Sequence, residues 1–373
     1  MMKHMMKHIM KRILSRIDFR DLIIFYALIG LWLLLIIAGA PGFRELSTYA
    51  SILQRASFMG ICGVGMTLCI ASRHFDQSIG SMAAFLGGTF VVLLQAFSDR
   101  PPQETVGVVV RPDGVEYMGI TWMGMAGAFI ITIALGVICG LFNGVLVAKL
   151  RIPAFIATLG ALYVLRGSAY LVTNNQPIVI NQVMTQEQYS LFNFLGTGAI
   201  LGLPFSFWVM VACAVAGAVI MRKMKLGRDT LAIGNSVQAS RISGVNIDRT
   251  KILIFTLLGF FVSISAILNT CFLASQNPGM LMGFEFDVIT TVVLGGTALA
   301  GGKGSIFNSM AAALFFATLM VSIPMLRINP YIDPIIRGTI LLLAFSINEI
   351  RRRMEVWQVK AAARKAAAQK AVA

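Results

Sequence analysis

Ten apolar segments, separated by short polar or glycine-rich junctions, follow one another along this chain. A membrane-spanning helix needs about 20 mostly apolar residues. With only 13% charged residues, against about 25% in soluble domains, the chain could not cover a soluble surface. We therefore predict an all-α, polytopic membrane helix bundle with about ten transmembrane segments, some of them short or broken. The segments are residues 22–38, 58–71, 82–97, 122–148, 154–172, 206–221, 252–274, 288–300, 306–326 and 335–347.

The distribution of charge predicts the orientation of the bundle. The net charge is +15, and the basic residues cluster at both ends of the chain and in 222–251. If the ten segments alternate from an inside N-terminus, 24 basic residues lie inside and five lie outside. Because positive residues favour the cytoplasmic side, we predict that both termini are cytoplasmic. The basic residues form no stripe with interleaved aromatic residues, so no nucleic-acid partner is expected.

This orientation divides the chain into one transmembrane domain with flanking and inserted regions. Loop 173–205 lacks Lys and Arg, and loop 275–287 holds Glu285 and Asp287; both are expected outside. His4 and His8 are interpreted as part of a solvated tail, and the first apolar run as a retained anchor. The predicted regions are a basic cytoplasmic N-terminus (1–21), a single transmembrane domain (22–350), a periplasmic hairpin insertion around Arg111-Pro112-Asp113-Gly114 (98–120), a cytoplasmic loop (222–251) and a basic cytoplasmic tail (351–373).

Few ionisable residues interrupt the apolar segments. Arg73, His74 and Asp76 lie between the second and third segments, where they either mark a cytoplasmic turn or serve a function inside the membrane. Arg166 lies within a segment and either reaches the outer interface or holds a carboxylate or helix end inside the bundle. The five cysteines lie inside apolar segments without C-x-x-C spacing and are expected to be buried: Cys62, Cys69, Cys139, Cys213 and Cys271.

One glycine-rich stretch has the look of a phosphate-binding loop. Residues 295–305 read Gly-Gly-Thr-Ala-Leu-Ala-Gly-Gly-Lys-Gly-Ser. A phosphate-binding loop requires G-x-x-x-x-G-K followed by Ser or Thr. Here Thr297 stands at the first glycine position and Gly304 at the hydroxyl position, and a membrane segment precedes the loop. We therefore expect no ATP site, no catalytic residues and no metal site in this chain, which is predicted not to be an enzyme.

Four stretches together resemble the permease subunits of bacterial ATP-binding-cassette importers of the ribose/xylose type. The resemblance covers roughly residues 45–350, and Arg73-His74 stand where that family has glycines. The stretches are Gly65-Met66-Thr67 with Phe75-Asp76-Gln77-Ser78-Ile79-Gly80-Ser81; Phe142-Asn143-Gly144 with Ile152 to Gly160 and Arg166-Gly167; Gly227-Arg228 through Ala232-Ile233-Gly234-Asn235 to Ala239 and Ser243-Gly244-Val245-Asn246; and Glu285 to Ile289 with Val293 to Ser305.

The resemblance implies the partners of an importer. It implies a second permease copy, identical or a sister chain, in the bacterial inner membrane. It also implies a cytoplasmic ATPase subunit that holds ATP and Mg, a periplasmic solute-binding protein and a small sugar-like substrate. This chain would itself hold no cofactor. The residues alone leave open an ion-gradient-driven secondary transporter, or a membrane enzyme or scaffold.

Short segments that end in polar junctions border the transport path in many transporters. We therefore predict that segments 58–71 and 288–300 line or border the path of the solute. An uncharged polyol requires hydrogen-bonding groups and aromatic faces rather than ion pairs. The candidate path residues are Thr67, Asn143, Thr290, Thr291 and Phe85, and the resemblance adds Asp76 and Ser78.

Residues 235–244 predict a short helix of about two turns in the basic loop. Asn235 or Ser236 can cap its start, and Gly244 can end it in a left-handed turn. Val237, Ser240, Arg241 and Gly244 follow the spacing of one helix face. Because so short a helix is unstable alone, we predict that it docks on the ATPase; the alternative is that it packs only on its own membrane helices. The predicted contacts are Asn235, Ser236, Ala239, Arg241, Ser243 and Gly244.

Overall fold

The structure is a computed structural model that describes residues 23–97, 110–111, 114–115, 122–180, 186–346, 349–350, 353–354 and 357. The region 1–21, most of the predicted insertion 98–120 and most of the tail 351–373 lie outside the described residues. The helices are α1 (Ile23–Ile37), α2 (Leu46–Ala71), α3 (Ile79–Ala96), α4 (Trp122–Ala148), α5 (Ala154–Val172), α6 (Gln186–Thr197), α7 (Phe205–Lys223), α8 (Lys225–Asn235), α9 (Val237–Ile242), α10 (Ile247–Leu273), α11 (Phe284–Leu294), α12 (Ile306–Met325) and α13 (333–346). The short strands are β1 (Val110–Arg111), β2 (Gly114–Val115), β3 (Ile178–Val179), β4 (Ala199–Ile200), β5 (Leu203–Pro204) and β6 (Ser275–Gln276).

The predicted helix bundle is confirmed. Seven helices of the described chain are long and apolar enough to cross a membrane, and α4 and α5 have the predicted bounds. The other three predicted segments correspond to the shorter helices α1, α11 and α13. Four of the five cysteines are buried and Cys139 is partly buried, and all five are free thiols, as expected of small apolar side chains.

Helix α2 differs from the prediction because it is long rather than short. It spans 26 residues, and every residue from 56 to 71 is buried, so it runs through the centre of the bundle. Gln54 and Ser57 lower the hydropathy of its first half, so the apolar segment predicted from the sequence begins only at residue 58. Both are satisfied by protein groups: Gln54 donates to the Gly196 carbonyl, and Ser57 donates to the Leu53 carbonyl at 2.6 Å.

Helices α4 and α10 pack closely because α4 presents glycines to its neighbour. A Cβ atom at Gly144 would lie 2.8 Å from the Cα atom of Ile252. Small residues allow such an approach where no hydrophobic effect drives helices together. Beyond this contact, Lys149 pairs with Asp248 at 3.8 Å. Loop 149–153 therefore lies at the same end of the bundle as segment 224–246, which contains α8 and α9. Loop 295–305 lies there too, since Gly301 packs against Gly234, and this end is here named the basic end.

The opposite end contains structure that the sequence analysis did not predict. Helix α6 forms in the polar loop, and strand β3 pairs antiparallel with β6, with Ile178 opposite Gln276. After β6 the chain turns back into the bundle, so Glu285 and Asp287 are each only 5% exposed. The prediction that 275–287 is an outside loop is therefore wrong for its acidic residues. In the predicted hairpin, β1 pairs antiparallel with β2, as expected around a tight turn.

Candidate functional site

Two interrupted crossings meet inside the bundle. Helix α3 begins after the non-helical residues 72–78, and α11 begins after the non-helical residues 277–283. Their first turns lie against each other, with Gly80 next to the Glu285 carboxylate and the Leu281 carbonyl. The N-terminus of a helix favours negative charge, so Glu285 is well placed at the start of α3. Helix α3 then runs to the opposite end, whereas α11 runs to the basic end.

Arg166 on α5 holds the second interrupted crossing in place. Its guanidinium donates from Nη1 to the carbonyls of Pro278 (2.6 Å) and Met280 (2.8 Å) and from Nε to Ser81 Oγ (3.2 Å). The residue is 9% exposed. The arginine was predicted either to reach the outer interface or to act inside the bundle, and the structure places its guanidinium inside the bundle. There the guanidinium satisfies backbone carbonyls that no helix or sheet hydrogen bond satisfies.

Three predicted path residues form one buried cluster at the start of α3. The Asp76 carboxylate accepts hydrogen bonds from the backbone N–H of Ser78 (2.7 Å) and from its hydroxyl (2.6 Å). Asn143 on α4 donates to Asp76 at 3.1 Å and to Ser78 Oγ at 2.9 Å. All three are at most 1% exposed. The cluster fixes where α3 begins, and the Asn143 carbonyl oxygen is left without a hydrogen-bond partner.

The other predicted path residues lie elsewhere. Thr67 donates to the Gly63 carbonyl at 2.6 Å and lies 3.1 Å from the Ser309 hydroxyl, inside the bundle core. Thr291 is fully buried, and its hydroxyl has no partner. Phe85 is partly buried against the core. Thr290 bonds to the Phe286 carbonyl at 2.6 Å and also lines a cavity. In this conformation the seven candidates therefore do not line one continuous surface.

The cavity that Thr290 lines lies between α11 and residues 333–341 and measures about 670 Å³. Arg337 crosses its wall and pairs with Asp287 and, at 2.9 Å, with Asp333. The carbonyl oxygen of Asn269 is buried without a partner. Arg337 was not among the predicted site residues, although a charged residue within the apolar segment 335–347 was an available signal. The cavity is also lined by Arg55 and by the aromatic residues Phe58, Phe272, Phe284 and Phe286.

The predicted short helix is present at the basic end as α9. Ser236 caps it, since its hydroxyl accepts from the backbone N–H of Ala239 at 3.2 Å, and Gly244 follows it at φ +77°. Asn235 does not cap α9, because it ends α8.

The predicted contact face of α9 requires one correction. Ser240 is buried and bonds to the Ser236 carbonyl at 2.8 Å, because the helix rests on this side against α8. The outward side instead presents Val237, Ala239, Arg241 and Ser243 together with Ile242, which is 83% exposed. The sequence analysis missed Ile242, although a large apolar residue in a basic loop was a visible signal.

A polytopic helical bundle with two interrupted crossings and an exposed capped helix at one end is typical of a membrane transport protein. The comparisons with known proteins agree. A family model described as "branched-chain amino acid transport system / permease component" matches residues 48–345. This chain belongs to that family of permease components, which are the membrane subunits of ATP-binding-cassette importers.

Several similar curated proteins are permeases of sugar import systems. The ribose import permease protein of Escherichia coli K12 is 33% identical over 86% of this chain and 92% of that protein. The L-arabinose transport system permease protein of the same strain is 32% identical, over 88% and 91%. The xylose transport system permease protein of Haemophilus influenzae is 28% identical, over 82% and 89%. No solved structure matches the chain.

Proposed function

We propose that this permease moves a small sugar or sugar-like solute into the cytoplasm, using ATP hydrolysed by a separate subunit. The observation that carries the proposal is that ribose, L-arabinose and xylose permeases each align with more than four fifths of the chain. The groups that line the cavity support it. Thr290, Asn269 and the phenylalanines of the cavity offer hydrogen bonds and aromatic faces, which suit an uncharged polyol.

The proposed partners follow from the same role. A cytoplasmic ATPase subunit would hold ATP and Mg and dock on α9, and a periplasmic solute-binding protein would deliver the sugar at the opposite end. A second permease copy would complete the translocation path. Tyr163 and Val164 on α5 are 70% and 65% exposed and supply an apolar surface for that copy in the membrane.

The proposed orientation places both termini and the basic end in the cytoplasm. The asymmetry of 24 inside to five outside basic residues supports it. The orientation is tested by introducing one cysteine at a time, Ser236→Cys or Asn175→Cys, and labelling intact cells with a membrane-impermeant maleimide. The background carries Cys139→Ser, because the other four native cysteines are buried. We expect labelling of Asn175→Cys and none of Ser236→Cys until the membrane is opened. Labelling of Ser236→Cys in intact cells would contradict the orientation.

The transport activity is tested in proteoliposomes that contain the permease, its ATPase subunit and its solute-binding protein. D-ribose, L-arabinose and D-xylose are supplied in turn, with L-leucine as the comparison because of the family's description. We expect uptake of a sugar that requires ATP and persists with an ionophore. Uptake that needs no ATP and stops with the ionophore would indicate a secondary transporter. ATP-dependent uptake of L-leucine, with no uptake of the three sugars, would exclude a sugar as the substrate.

A further inference from the structure

Three segments meet at one point of the basic end. The end of α2, the end of α8 and the glycine loop 295–305 come together where the Gly302 N–H donates to the Ala71 carbonyl at 2.8 Å. Gly234 lies between these two groups, and there is no room there for a Cβ atom. Loop 295–305 is thus a packing junction in this structure.

Arg73 bridges two of these segments. It is the second residue after α2 and has a left-handed backbone, with φ +67°. Its Nε donates to the Gly234 carbonyl at 2.6 Å, and its Nη2 donates to the Asn235 carbonyl at 2.9 Å. These are carbonyls of the last turn of α8, which has no helical N–H to satisfy them and where a positive charge is favourable.

The residues on both sides of this bridge belong to functional elements already described. Asn235 is followed directly by Ser236, the cap of α9. Arg73 precedes by three positions Asp76, whose carboxylate fixes the start of α3. The first turn of α3 in turn lies against Leu281, within the second interrupted crossing. A displacement of α9 would therefore reach both interrupted crossings through Arg73.

We propose that Arg73 is a positioning residue that transmits the ATP-driven movement of α9 to the interrupted crossings. This proposal rests on the proposed function. A left-handed backbone is costly for a residue other than glycine, and an exposed arginine side chain gives up rotamer freedom when it is held. The forked guanidinium can bond two successive carbonyls at once, which a lysine ammonium does with less fixed geometry.

The variant that isolates the side chain is Arg73→Gly. Glycine adopts positive φ without strain, so this change removes the bridge and leaves the turn intact. Arg73→Lys keeps the charge and loses the fork. The matched control is Arg228→Ala, because Arg228 Nη1 also donates to a backbone carbonyl at the basic end, that of Lys223 at 3.1 Å, but connects only neighbouring helices.

The readout is a cysteine at Met282, which is 65% exposed and lines the cavity beside Leu281. The complex with its ATPase subunit is purified in a Cys139→Ser background, and the rate of maleimide labelling at position 282 is compared with and without ATP and vanadate. We expect a nucleotide-dependent rate in the parent and in Arg228→Ala. In Arg73→Gly we expect that difference to fall by about fivefold or more, with partial recovery in Arg73→Lys.

Each outcome decides the question. An unchanged nucleotide effect in Arg73→Gly would overturn the proposal, as would an equal loss in Arg228→Ala. Loss of the ATPase subunit from Arg73→Gly would also overturn it, because Arg73 would then act in docking. If Arg73→Gly does not fold, Arg73→Lys is the variant that tests the proposal. A nucleotide-dependent labelling rate in Arg73→Lys equal to that of the parent would show that the forked guanidinium is not required. If the ATPase subunit does not copurify with the parent, the proposed function itself fails.

Discussion

Asn143 donates from its side-chain amide to the carboxylate of Asp76 at 3.1 Å, across 67 positions of sequence. The bond ties the last turns of α4 to the point at which α3 begins. Because the same amide also reaches Ser78, helix α4 controls where the first interrupted crossing becomes helical. The start of α3 is therefore set by a distant residue as well as by its own local sequence.

This relationship predicts the effect of Asp76→Asn. An amide at position 76 turns at most one acceptor oxygen toward Ser78 and places a donor against the donor of Asn143, so buried hydrogen bonds are lost. We expect the protein to insert in the membrane, to lose about 1–3 kcal/mol of stability and to transport more slowly. Thermal unfolding in detergent and uptake in proteoliposomes measure the two effects. The control Ser78→Ala keeps the backbone N–H bond and should lose less; equal losses would count against a central role for the carboxylate.

We expect a larger loss of stability from substitution of Arg166 than from Asp76→Asn, because Arg166 satisfies two buried carbonyls at once. Arg166→Leu should leave the Pro278 and Met280 carbonyls without their donor, at a cost of about 1–3 kcal/mol for each. Arg166→Lys should recover part of the loss. The exposed Arg44 provides the control, and Arg44→Leu should unfold at nearly the parental temperature. If Arg166→Leu unfolds at the same temperature as Arg44→Leu, segment 277–283 does not depend on this arginine.

The junction at Gly234 predicts intolerance of even one methyl group. In Gly234→Ala the added carbon would meet backbone atoms of Ala71 and Gly302, which cannot move aside as a side chain could. We expect destabilisation of about 1–3 kcal/mol, the usual range for overpacking. Gly30 in α1 is the matched control, because no atom lies within 4 Å of a Cβ atom there. Gly30→Ala should be neutral or slightly stabilising, and similar melting temperatures for the two variants would show that the junction can relax.

The sequence predicted those parts of the structure that depend on local signals. Apolar length predicted α4 and α5 with their bounds, and the polar pair Asn235-Ser236 predicted the start of α9, which Ser236 caps in the structure. The length of α2 was missed because Gln54 finds its partner 142 positions away, at Gly196. The partners of Arg166 could not be predicted for the same reason, since they lie in a segment that turns back into the bundle. Helices α6 and α8 are too polar for an apolar-segment search.

The burial of His74 leads us to expect that the stability of the protein depends on pH. Burial lowers its pKa from 6.5 to about 4, the nearby charge of Lys251 adds to the effect, and a hydrogen bond with Ser72 opposes it. The unfolded chain therefore binds more protons than the folded chain between these values, so stability falls as the pH drops from 6.5 towards 4.

The variant His74→Gln tests this dependence. It should unfold at a lower temperature at neutral pH, because it removes the imidazole ring that packs edge-on against Phe255, with the two ring centroids 6.2 Å apart. Its melting temperature should, however, fall less than that of the parent between about pH 7 and pH 5. Scanning fluorimetry in detergent across this range measures both slopes. Parallel curves for the two proteins would show that His74 does not contribute to acid sensitivity.

Ile242 is a strongly exposed apolar residue of α9. At 83% exposure, its side chain gains nothing from the permease alone, and a six-residue helix is too short to be stable without a partner surface. We therefore expect Ile242 to fill an apolar groove on the ATPase subunit. Ile242→Asp should weaken binding of that subunit by about tenfold or more, as expected of a buried anchor residue.

The control for Ile242 is Met224, which lies between α7 and α8 and is 50% exposed. Met224→Asp introduces the same charge into the same loop without touching α9. The binding constants of both variants for the purified ATPase subunit can be measured by biolayer interferometry in nanodiscs. Since a general effect of negative charge would act on both, an equal loss would locate the docking surface outside α9. A loss confined to Ile242→Asp would identify Ile242 as the anchor, because only that side chain lies on the capped helix.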